Sequence, residues 1–288
     1  MELRTHALEV LRLCDARDKA QAAQHMLTQA RHYRIAPHQR PAVAQGVVLP
    51  GHPQRPLLRH HTEVARRSPA TLHGRVVLMH AIAHIEFNAI NLALDAIWRF
   101  DDMPPAFYLD WLQVAAEEGK HFALINDWLH AQNHAYGDFP AHQGLWSMCE
   151  KTADDVVARM ALVPRTLEAR GLDATPQIQH KLRHVGTADA LAAVAILDTI
   201  LTEEIGHVAI GNHWYRWLCA QRGLEPIAHY ATLTQRYQAP RPKPPLNTDA
   251  RTAAGFTEEE LQWLHMEPEP AAPPQPIIEV GLHSETTP

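Results

Sequence analysis

Apolar residues recur at the spacing of an α-helix through the centre of the chain, from about residue 68 to residue 223, and the alternation typical of β-strands is almost absent. The spacing predicts four long helices, at residues 72–100, 105–133, 152–170 and 188–222. The first connection is short, the second is about twenty residues long and the third is intermediate. A segment of about twenty residues can run the length of a helical bundle when extended, so these connections favour an all-α bundle with one long crossover.

The pattern changes on both sides of this centre. Residues 5–34 predict an amphipathic helix, and residues 37–56, which contain five prolines, predict an extended arm on the surface. Towards the C-terminus we expect a short helix at 230–237 and a second one that begins with a capping box at Thr257 and ends at His265. The last twenty residues are rich in proline and predict a flexible tail. The expected regions are an N-terminal helix and arm (1–67), the helical bundle (68–223) and a C-terminal extension with its tail (224–288).

Composition and charge narrow the class of protein. Hydrophobic residues make up 46% and charged residues 20% of 288 residues, which is typical of a folded globular chain. The net charge of −6 argues against a nucleic-acid partner, because phosphate backbones attract basic surfaces. The N-terminus lacks a signal-peptide pattern, and polar residues interrupt the most apolar segment, so we predict no membrane span. Three widely spaced cysteines fit a reducing compartment, and we expect a cytoplasmic protein.

Two predicted helices carry the same Glu-x-x-His spacing, with Glu118 and His121 on the second and Glu204 and His207 on the fourth. Residues three apart share a helical face, so each carboxylate and imidazole can bind one metal ion together. The spacing alone is weak evidence, because a chain with 21 histidines contains such pairs by chance. On the helical wheel, however, both glutamates lie in the middle of the apolar stripe. An unpaired carboxylate is strongly disfavoured there, and a metal ion would offset that cost.

The first and third helices each contribute another glutamate on an apolar face. Glu86 projects with apolar neighbours, and a buried salt bridge, for example to Arg165, is the alternative explanation. Glu168 lies on the third helix, but Pro164 should kink that helix one turn earlier, so Glu150 or Asp154 stays open as the third-helix ligand. These two glutamates and the two Glu-x-x-His pairs together match the ligand set of a carboxylate-bridged dinuclear metal site in a four-helix bundle. The six candidate ligands are Glu86, Glu118, His121, Glu168, Glu204 and His207.

This ligand pattern resembles the ferritin-like di-iron carboxylate superfamily. Within it, the chain is most similar over roughly residues 70–220 to a bacterial family called domain of unknown function 455. The similarity rests on His84-Ile-Glu86, the stretch from Asp110-Trp111 to Phe122, Tyr136-Gly-Asp-Phe-Pro-Ala-His142, Val163-Pro-Arg-Thr-Leu-Glu-Ala-Arg-Gly-Leu-Asp173 and Glu204-Ile-Gly-His207. The resemblance implies a ferritin-like four-helix bundle with one long crossover, the six ligands and a redox-active metal pair.

The superfamily often places an aspartate directly before each Glu-x-x-His, where it hydrogen-bonds a ligand histidine. Here Glu117 and Glu203 occupy those places, and we expect them to hold His207 and His121, respectively. His142, in the long second connection, is a candidate for the entrance of the site.

Carboxylate and imidazole ligands suit two Fe ions, or alternatively Mn or a mixed Fe/Mn pair. The resulting expectation is an oxidoreductase or oxygenase that activates O2 or peroxide on a small organic substrate, with an electron-donor protein as a candidate partner. The alternatives are a non-catalytic ferritin-like iron-binding protein, a mononuclear zinc hydrolase and a scaffold that has lost its metal. The histidine pairs His80/His84 and His180/His184 have the spacing of zinc ligands but lie on polar faces. The oligomeric state stays open.

Overall fold

The computed structural model describes residues 1–60, 62–64 and 67–266, and every regular element within these ranges is a helix. The expected all-α class is therefore confirmed. Within these ranges the α-helices are α1 (Leu3–Leu11), α2 (Ala16–Thr28), α3 (Leu72–Arg99), α4 (Pro105–Ala131), α5 (Gly144–Lys151), α6 (Val156–Leu162), α7 (Ala169–Val185), α8 (Ala188–Arg222), α9 (Pro226–Arg236), α10 (Thr248–Ala253) and α11 (Glu258–His265). The predicted proline-rich tail lies outside the described residues.

Three of the four long central helices begin and end within two residues of the predicted bounds, namely α3, α4 and α8. Helices α4 and α8 run antiparallel, because Trp128 near the end of α4 hydrogen-bonds Asp189 at the start of α8, and Trp214 near the end of α8 hydrogen-bonds Asp110 at the start of α4. The short connection at residues 100–104 joins α3 to α4, and the two helices pack along each other. The apolar core lies between these helices and the third helical stretch.

The third helical stretch differs from the prediction at both ends. It begins at Val156, where the carboxylate of Asp155 caps α6, and the predicted start at Thr152 is wrong because Thr152 follows α5. It also does not end at Arg170. A π-helical segment, Val163–Glu168, called the π segment below, leads directly into α7, which continues to Val185. The residues after Arg170, where the predicted helix ends, therefore continue the same long helical stretch.

The π segment explains how a helix passes through Pro164. Proline has no backbone N–H and its ring clashes with the preceding turn of an α-helix, so a regular helix would break or kink there. The wider π turn accommodates this disruption. The hydroxyl of Thr166 donates a hydrogen bond of 2.7 Å to the carbonyl of Ala161, which gives that buried carbonyl a partner.

The long connection from α4 to α6 runs along α3. Near the start of α3, His80 Nε2 accepts a hydrogen bond of 2.8 Å from the backbone N–H of Gly137. Near its end, Asp95 forms a buried ion pair with Arg159, which also donates to the carbonyl of Cys149. The connection thus runs along the length of α3.

The N-terminal region contains two helices where a single helix was predicted, because α1 ends at Leu11 and a new helix, α2, begins after Asp15, whose carboxylate caps it. Buried Arg4 donates to the carbonyls of Ile97 and Trp98, so α1 is tied to the end of α3. Lys19 of α2 donates to Gly51 in the proline-rich arm and to Asn91 on α3.

The C-terminal helices, defined here as α9, α10 and α11, cover the third helical stretch and α8. The predicted capping box is present, because the Thr257 side chain accepts from the N–H of Glu260 while the Glu260 carboxylate accepts from the N–H of Thr257. Helix α10 was not predicted from the sequence.

Helix α3 is long and apolar enough to cross a membrane by length and composition. Its most apolar window has a mean hydropathy of 1.4 and is 72% buried inside the fold. Burial of this extent is typical of the core helix of a folded domain.

Candidate metal centre

Acidic and imidazole side chains from α3, α4 and α8 meet in the core. Glu86, Glu118, His121 and Glu204 each offer one ligand atom, and these atoms all lie within 4.8 Å of one another. Glu118 and His121 are fully buried, and Glu86 and Glu204 are 4% and 9% exposed. Carboxylates at such depth require a partner, because desolvation of an unpaired charge is costly.

Glu118 lies between the imidazoles of the two Glu-x-x-His motifs. Its Oε1 is 2.9 Å from Nδ1 of His207, and its Oε2 is 3.3 Å from Nδ1 of His121. Glu204 occupies the equivalent place from α8, with Oε1 at 3.5 Å from Nδ1 of His207 and 4.0 Å from Nδ1 of His121. The two Nδ1 atoms therefore face a pair of carboxylates on two antiparallel helices.

The opposite nitrogen of each imidazole is held by a carboxylate of the other helix. His207 Nε2 lies 2.7 Å from Oε2 of Glu117, and His121 Nε2 lies 2.9 Å from Oε2 of Glu203. This exchange occurs between the two pairs that the sequence suggested. A hydrogen bond at Nε2 fixes the ring orientation and leaves Nδ1 to face the centre of the site.

Two further side chains, neither singled out from the sequence, hold these outer carboxylates. Gln113 hydrogen-bonds Glu117, and Lys120 forms an ion pair with Glu203. The pKa of Glu117 and Glu203 is lowered, because hydrogen bonds from their histidines and from Gln113 or Lys120 outweigh burial. Both outer carboxylates are therefore ionised acceptors for the N–H groups of the histidines.

Several carboxylate oxygens of the inner set have no hydrogen-bond partner among the described residues. They are Oε2 of Glu86, Oε2 of Glu204 and both oxygens of Glu168. Glu168, at the end of the π segment, is buried, and the charges of Glu204, Glu118, His207 and Glu86 act on it. Buried polar atoms without partners are rare in folded proteins, and an ion bound between them is one explanation.

The inner groups titrate far from their ordinary ranges. Burial, and then the charge of Glu118, raises the pKa of Glu86 to about 8. Burial and the charge of Glu204 raise the pKa of Glu168 well above its usual value. For His121, burial lowers the pKa, but the carboxylates of Glu118 and Glu86, whose Oε2 atoms lie 3.3 and 3.4 Å from Nδ1, outweigh it and raise the pKa to about 11. The pKa of His207 is likewise raised, because Glu118 and Glu117 outweigh the effect of burial. Protons on these groups balance the carboxylates in the metal-free chain.

Comparison with known proteins identifies the family. The family model described as "Protein of unknown function (DUF455)" matches residues 12–262. This chain belongs to the DUF455 family. A protein of Haemophilus influenzae described as an uncharacterized protein is 51% identical over 220 residues, which cover 74% of this chain and 75% of the relative. No solved structure matches the chain.

The DUF455 match extends well beyond the similarity noted at residues 70–220. It includes α2 and the first part of α11, which flank the central helices. The family unit therefore contains the C-terminal helices as well as the candidate metal centre.

The other residues considered from the sequence lie elsewhere. Glu150 and Asp154, the alternatives on the third stretch, are exposed, and Glu150 accepts a hydrogen bond from Trp146. Arg165, the suggested partner of Glu86, pairs instead with Glu260. His142 is exposed and accepts a hydrogen bond from the N–H of Gly144.

The histidine pairs are also separate from the cluster. His80 and His84 are buried and bound to the loop after α4, His80 by the N–H of Gly137 and His84 by the hydroxyl of Tyr136. His180 and His184 are exposed on α7. Within the described residues, one group of potential ligands is compact enough to hold a metal ion, and it contains neither pair.

Proposed function

We propose that this DUF455 protein is a ferritin-like dinuclear metal protein that acts as an oxidoreductase or oxygenase on a small organic substrate. The four helices of the proposed bundle are α3, α4, the third helical stretch and α8. The path of the long connection along α3 supports this topology, because bundles of this class contain one long crossover. The proposed ions are two Fe, or alternatively Mn or a mixed Fe/Mn pair.

The observation that carries the proposal is the placement of Glu118 between Nδ1 of His121 and Nδ1 of His207. A carboxylate with one oxygen towards each imidazole suits a pair of ions, each with its own histidine. Glu86 and His121 would hold one ion, Glu168 and His207 would hold the other, and Glu118 with Glu204 would contact both. The unpartnered oxygens of Glu86, Glu168 and Glu204 fit this arrangement, because cations would satisfy them.

The bound ions would supply redox chemistry with O2 or peroxide, which carboxylate and imidazole ligation permits. The chain's own residues would prepare the site for that chemistry. Glu117 and Glu203 accept the Nε2 protons and so keep both Nδ1 atoms available for ligation. Phe87 and Phe122, which directly follow Glu86 and His121 in the sequence, are both buried, and their ring centroids lie 6.1 Å apart.

A groove between α2, α4 and the loop after α4 supports the proposal that the substrate is a small molecule. Two cavities of about 190 Å³ each share the residues Arg17, Phe122 and Asn126. Tyr136 lines the second cavity, and its ring packs against Phe122 with centroids 5.1 Å apart. The groove thus reaches the residue that follows His121, and each cavity is smaller than the roughly 300–1,000 Å³ of a typical ligand pocket, so only a small molecule would fit.

The donor set favours this proposal over a mononuclear zinc hydrolase. Zinc hydrolases are typically held by a majority of histidine ligands, whereas the compact group here consists of three glutamates and one histidine. Oxygen-rich donor sets suit iron and manganese better. A non-catalytic iron-binding protein shares the same ligands and is separated from an enzyme by the experiment below.

The test measures metal content and oxygen uptake. The protein is purified from cells supplied with iron and manganese, and Fe, Mn and Zn are measured for the wild type, Glu118→Gln and Glu204→Gln. About two Fe or Mn per chain, lost in both variants, is the expected result. Glu150→Gln is the matched control, because Glu150 is an exposed glutamate on α5 that should leave the metal content unchanged.

Other outcomes would overturn the proposal in distinct ways. One zinc ion per chain would favour the hydrolase, and absence of bound metal in the wild type would remove the dinuclear site. Two Fe per chain with no oxygen or peroxide consumed by the reduced protein would favour the non-catalytic iron-binding protein. Consumption that is lost in Glu118→Gln would support the enzyme.

A further inference from the structure

The π segment carries Glu168 but receives its support from outside the metal cluster. On one side it packs tightly on α8, where Gly211 faces Pro164. A Cβ at position 211 would lie 2.5 Å from Cβ of Pro164, so only glycine permits this approach. On the other side it contacts the C-terminal helices. These helices are distant in sequence from α4, which carries one of the two Glu-x-x-His motifs.

Arg165, in the middle of the π segment, is the main point of contact. Its guanidinium is 2% exposed and forms an ion pair of 2.8 Å with Glu260 of α11. It also donates a hydrogen bond of 2.6 Å to Asn212 of α8. Three aromatic rings surround it, those of Tyr215, Tyr230 and Phe256, at 5.2, 5.0 and 4.7 Å from their centroids. Buried and caged in this way, Arg165 has little freedom to move without α11.

Contacts on both sides of Arg165 extend this attachment. Thr166 shares a hydrogen bond of 2.8 Å with the hydroxyl of Tyr230 on α9. One turn beyond Glu168, Asp173 forms a buried ion pair of 2.7 Å with Arg251 of α10. Arg251 also donates to the carbonyl of Ala169, the residue next to Glu168. Each of the three C-terminal helices therefore holds a residue close to Glu168.

Glu168 differs from the other inner residues in how it is oriented. His121 and His207 are held by Glu203 and Glu117, and Glu118 is held by both histidines. Glu168 has no hydrogen-bond partner on either oxygen within the described part of the chain. Its direction therefore depends on the backbone of the π segment, which is held between α8 on one side and the C-terminal helices on the other.

We propose that the C-terminal helices form a clamp that positions Glu168, with Glu260 and Arg165 as positioning residues for one of the two metal positions. This inference rests on the proposed dinuclear centre. The ion held by Glu168 and His207 depends on the clamp. The ion held by Glu86 and His121 does not, because α3 and α4 are packed on each other and on α1 and α2. Loosening the clamp should thus empty one position and leave the other filled.

The experiment compares Glu260→Gln with Glu258→Gln in the full-length protein. Glu258 lies on the same helix but is exposed and accepts a hydrogen bond from Gln262 one turn on, so the control removes the same charge without touching Arg165. Bound Fe is measured after anaerobic loading with Fe(II) and removal of the excess. We expect about two Fe per chain in the wild type and in Glu258→Gln, and about one in Glu260→Gln.

A second measurement does not require metal. Amide hydrogen exchange of the metal-free protein should be faster at residues 163–168 in Glu260→Gln, by about tenfold or more, and unchanged in Glu258→Gln. Tyr230→Phe serves as a milder variant, because it removes only the hydroxyl that contacts Thr166 and keeps the ring beside Arg165. It should increase exchange in the same segment by a smaller factor, and it guards against misfolding of Glu260→Gln.

The outcomes separate this inference from the proposed function. If the wild type binds no metal, the dinuclear centre fails, whereas the exchange measurement still reports whether α11 holds the π segment. Two Fe retained in Glu260→Gln, with or without faster exchange, would overturn the positioning role. Equal loss of both ions in Glu260→Gln and Tyr230→Phe would also overturn it, because the clamp is assigned to one position.

Discussion

The two sides of the candidate metal centre are built in different ways. On α4 and α8, each Glu-x-x-His motif is supported by the other, because Glu117 binds His207 and Glu203 binds His121. On the third helical stretch, Glu168 has no hydrogen-bond partner among the described residues, and its segment is held by helices from the C-terminal end of the chain. One side is supported by contacts between α4 and α8, and the other depends on helices at the C-terminal end of the chain. The two sides should therefore respond differently to the same kind of perturbation.

The largest expected effect concerns the proton balance of the paired side. The pKa of His121 is raised to about 11 and that of His207 is raised as well, so both imidazoles carry a proton in the metal-free protein near neutral pH. Each must lose its Nδ1 proton to bind an ion, and Glu86, with a pKa raised to about 8, must also be ionised. Metal binding must displace these protons, and a higher pH favours their release and so strengthens binding. We expect about three protons released per chain, which corresponds to a change on the order of 10⁵- to 10⁶-fold in the overall affinity between about pH 6 and about pH 8.

Mn(II) titration across this pH range, with proton release followed in weakly buffered solution, checks the prediction. A binding constant that is independent of pH would contradict it, because it would mean that the imidazoles are already neutral. Glu150→Gln should show the same slope as the wild type, since Glu150 is exposed and lies outside the cluster.

The next prediction tests whether the two Glu-x-x-His motifs support each other's histidines equally. Glu117→Ala and Glu203→Ala each remove the acceptor of one Nε2 proton without reaching the inner carboxylates. Loss of such a supporting carboxylate typically weakens metal binding by about 10- to 100-fold. Because the two contacts are 2.7 and 2.9 Å and both carboxylates are 25% exposed, we expect similar losses in both variants.

The measurement is competition of each variant with a chelator for Fe(II) under argon. Glu258→Ala, on the exposed face of α11, is the control for removal of a carboxylate. A loss confined to one of the two variants would show that the motifs do not support each other equally. Binding unchanged in both would remove the supporting role of these residues.

Periodicity located the paired side from the sequence, because a glutamate in the middle of an apolar stripe is visible in the pattern of a regular helix. The bounds of α3, α4 and α8 follow from the same regularity and from the prolines and glycines that delimit them. The third stretch was harder to predict, because Pro164 usually interrupts a helix and Gly171 often ends one. In the structure, tertiary contacts outweigh both of these local preferences. The helix continues through Pro164 as a π turn, and hydrogen bonds from Asn247 and Arg251 hold the chain at Leu172 and Asp173.

The hydrophobic periodicity does not predict which side chains distant in sequence pair with one another at the site. The sequence suggested Arg165 as a partner of Glu86, and nothing local indicates that Glu260, much later in the chain, pairs with it instead. The same holds for Lys120, which lies next to His121 but reaches Glu203 on the other helix. Such pairs depend on the packing angle between helices, which a hydrophobic pattern leaves undetermined.

The smallest expected effect compares two glycines of α8, one on each side of the metal centre. Gly211 faces Pro164 of the π segment, and a Cβ there would lie 2.5 Å from Cβ of that proline. Gly206 lies inside the Glu204-Ile-Gly-His207 motif and is exposed, and a Cβ added there would meet no atom within 4 Å. Gly211→Ala should therefore destabilise the protein by about 1–3 kcal/mol, because the π segment must shift. Gly206→Ala should stabilise it by about 0.5–1 kcal/mol, because alanine favours the helix.

Urea unfolding of the metal-free protein measures both changes against the wild type. Changes of opposite sign in the free energy of unfolding would be decisive, because the substitution and the helix are the same in both variants and only the neighbouring atoms differ. Equal stabilisation by both variants would mean that the π segment yields easily at Pro164 and is not firmly held against α8. In that case Glu168 could adapt its position to an ion without help from the C-terminal helices. A loss confined to Gly211→Ala would instead agree with a segment held rigidly on both sides, as the orientation of Glu168 requires.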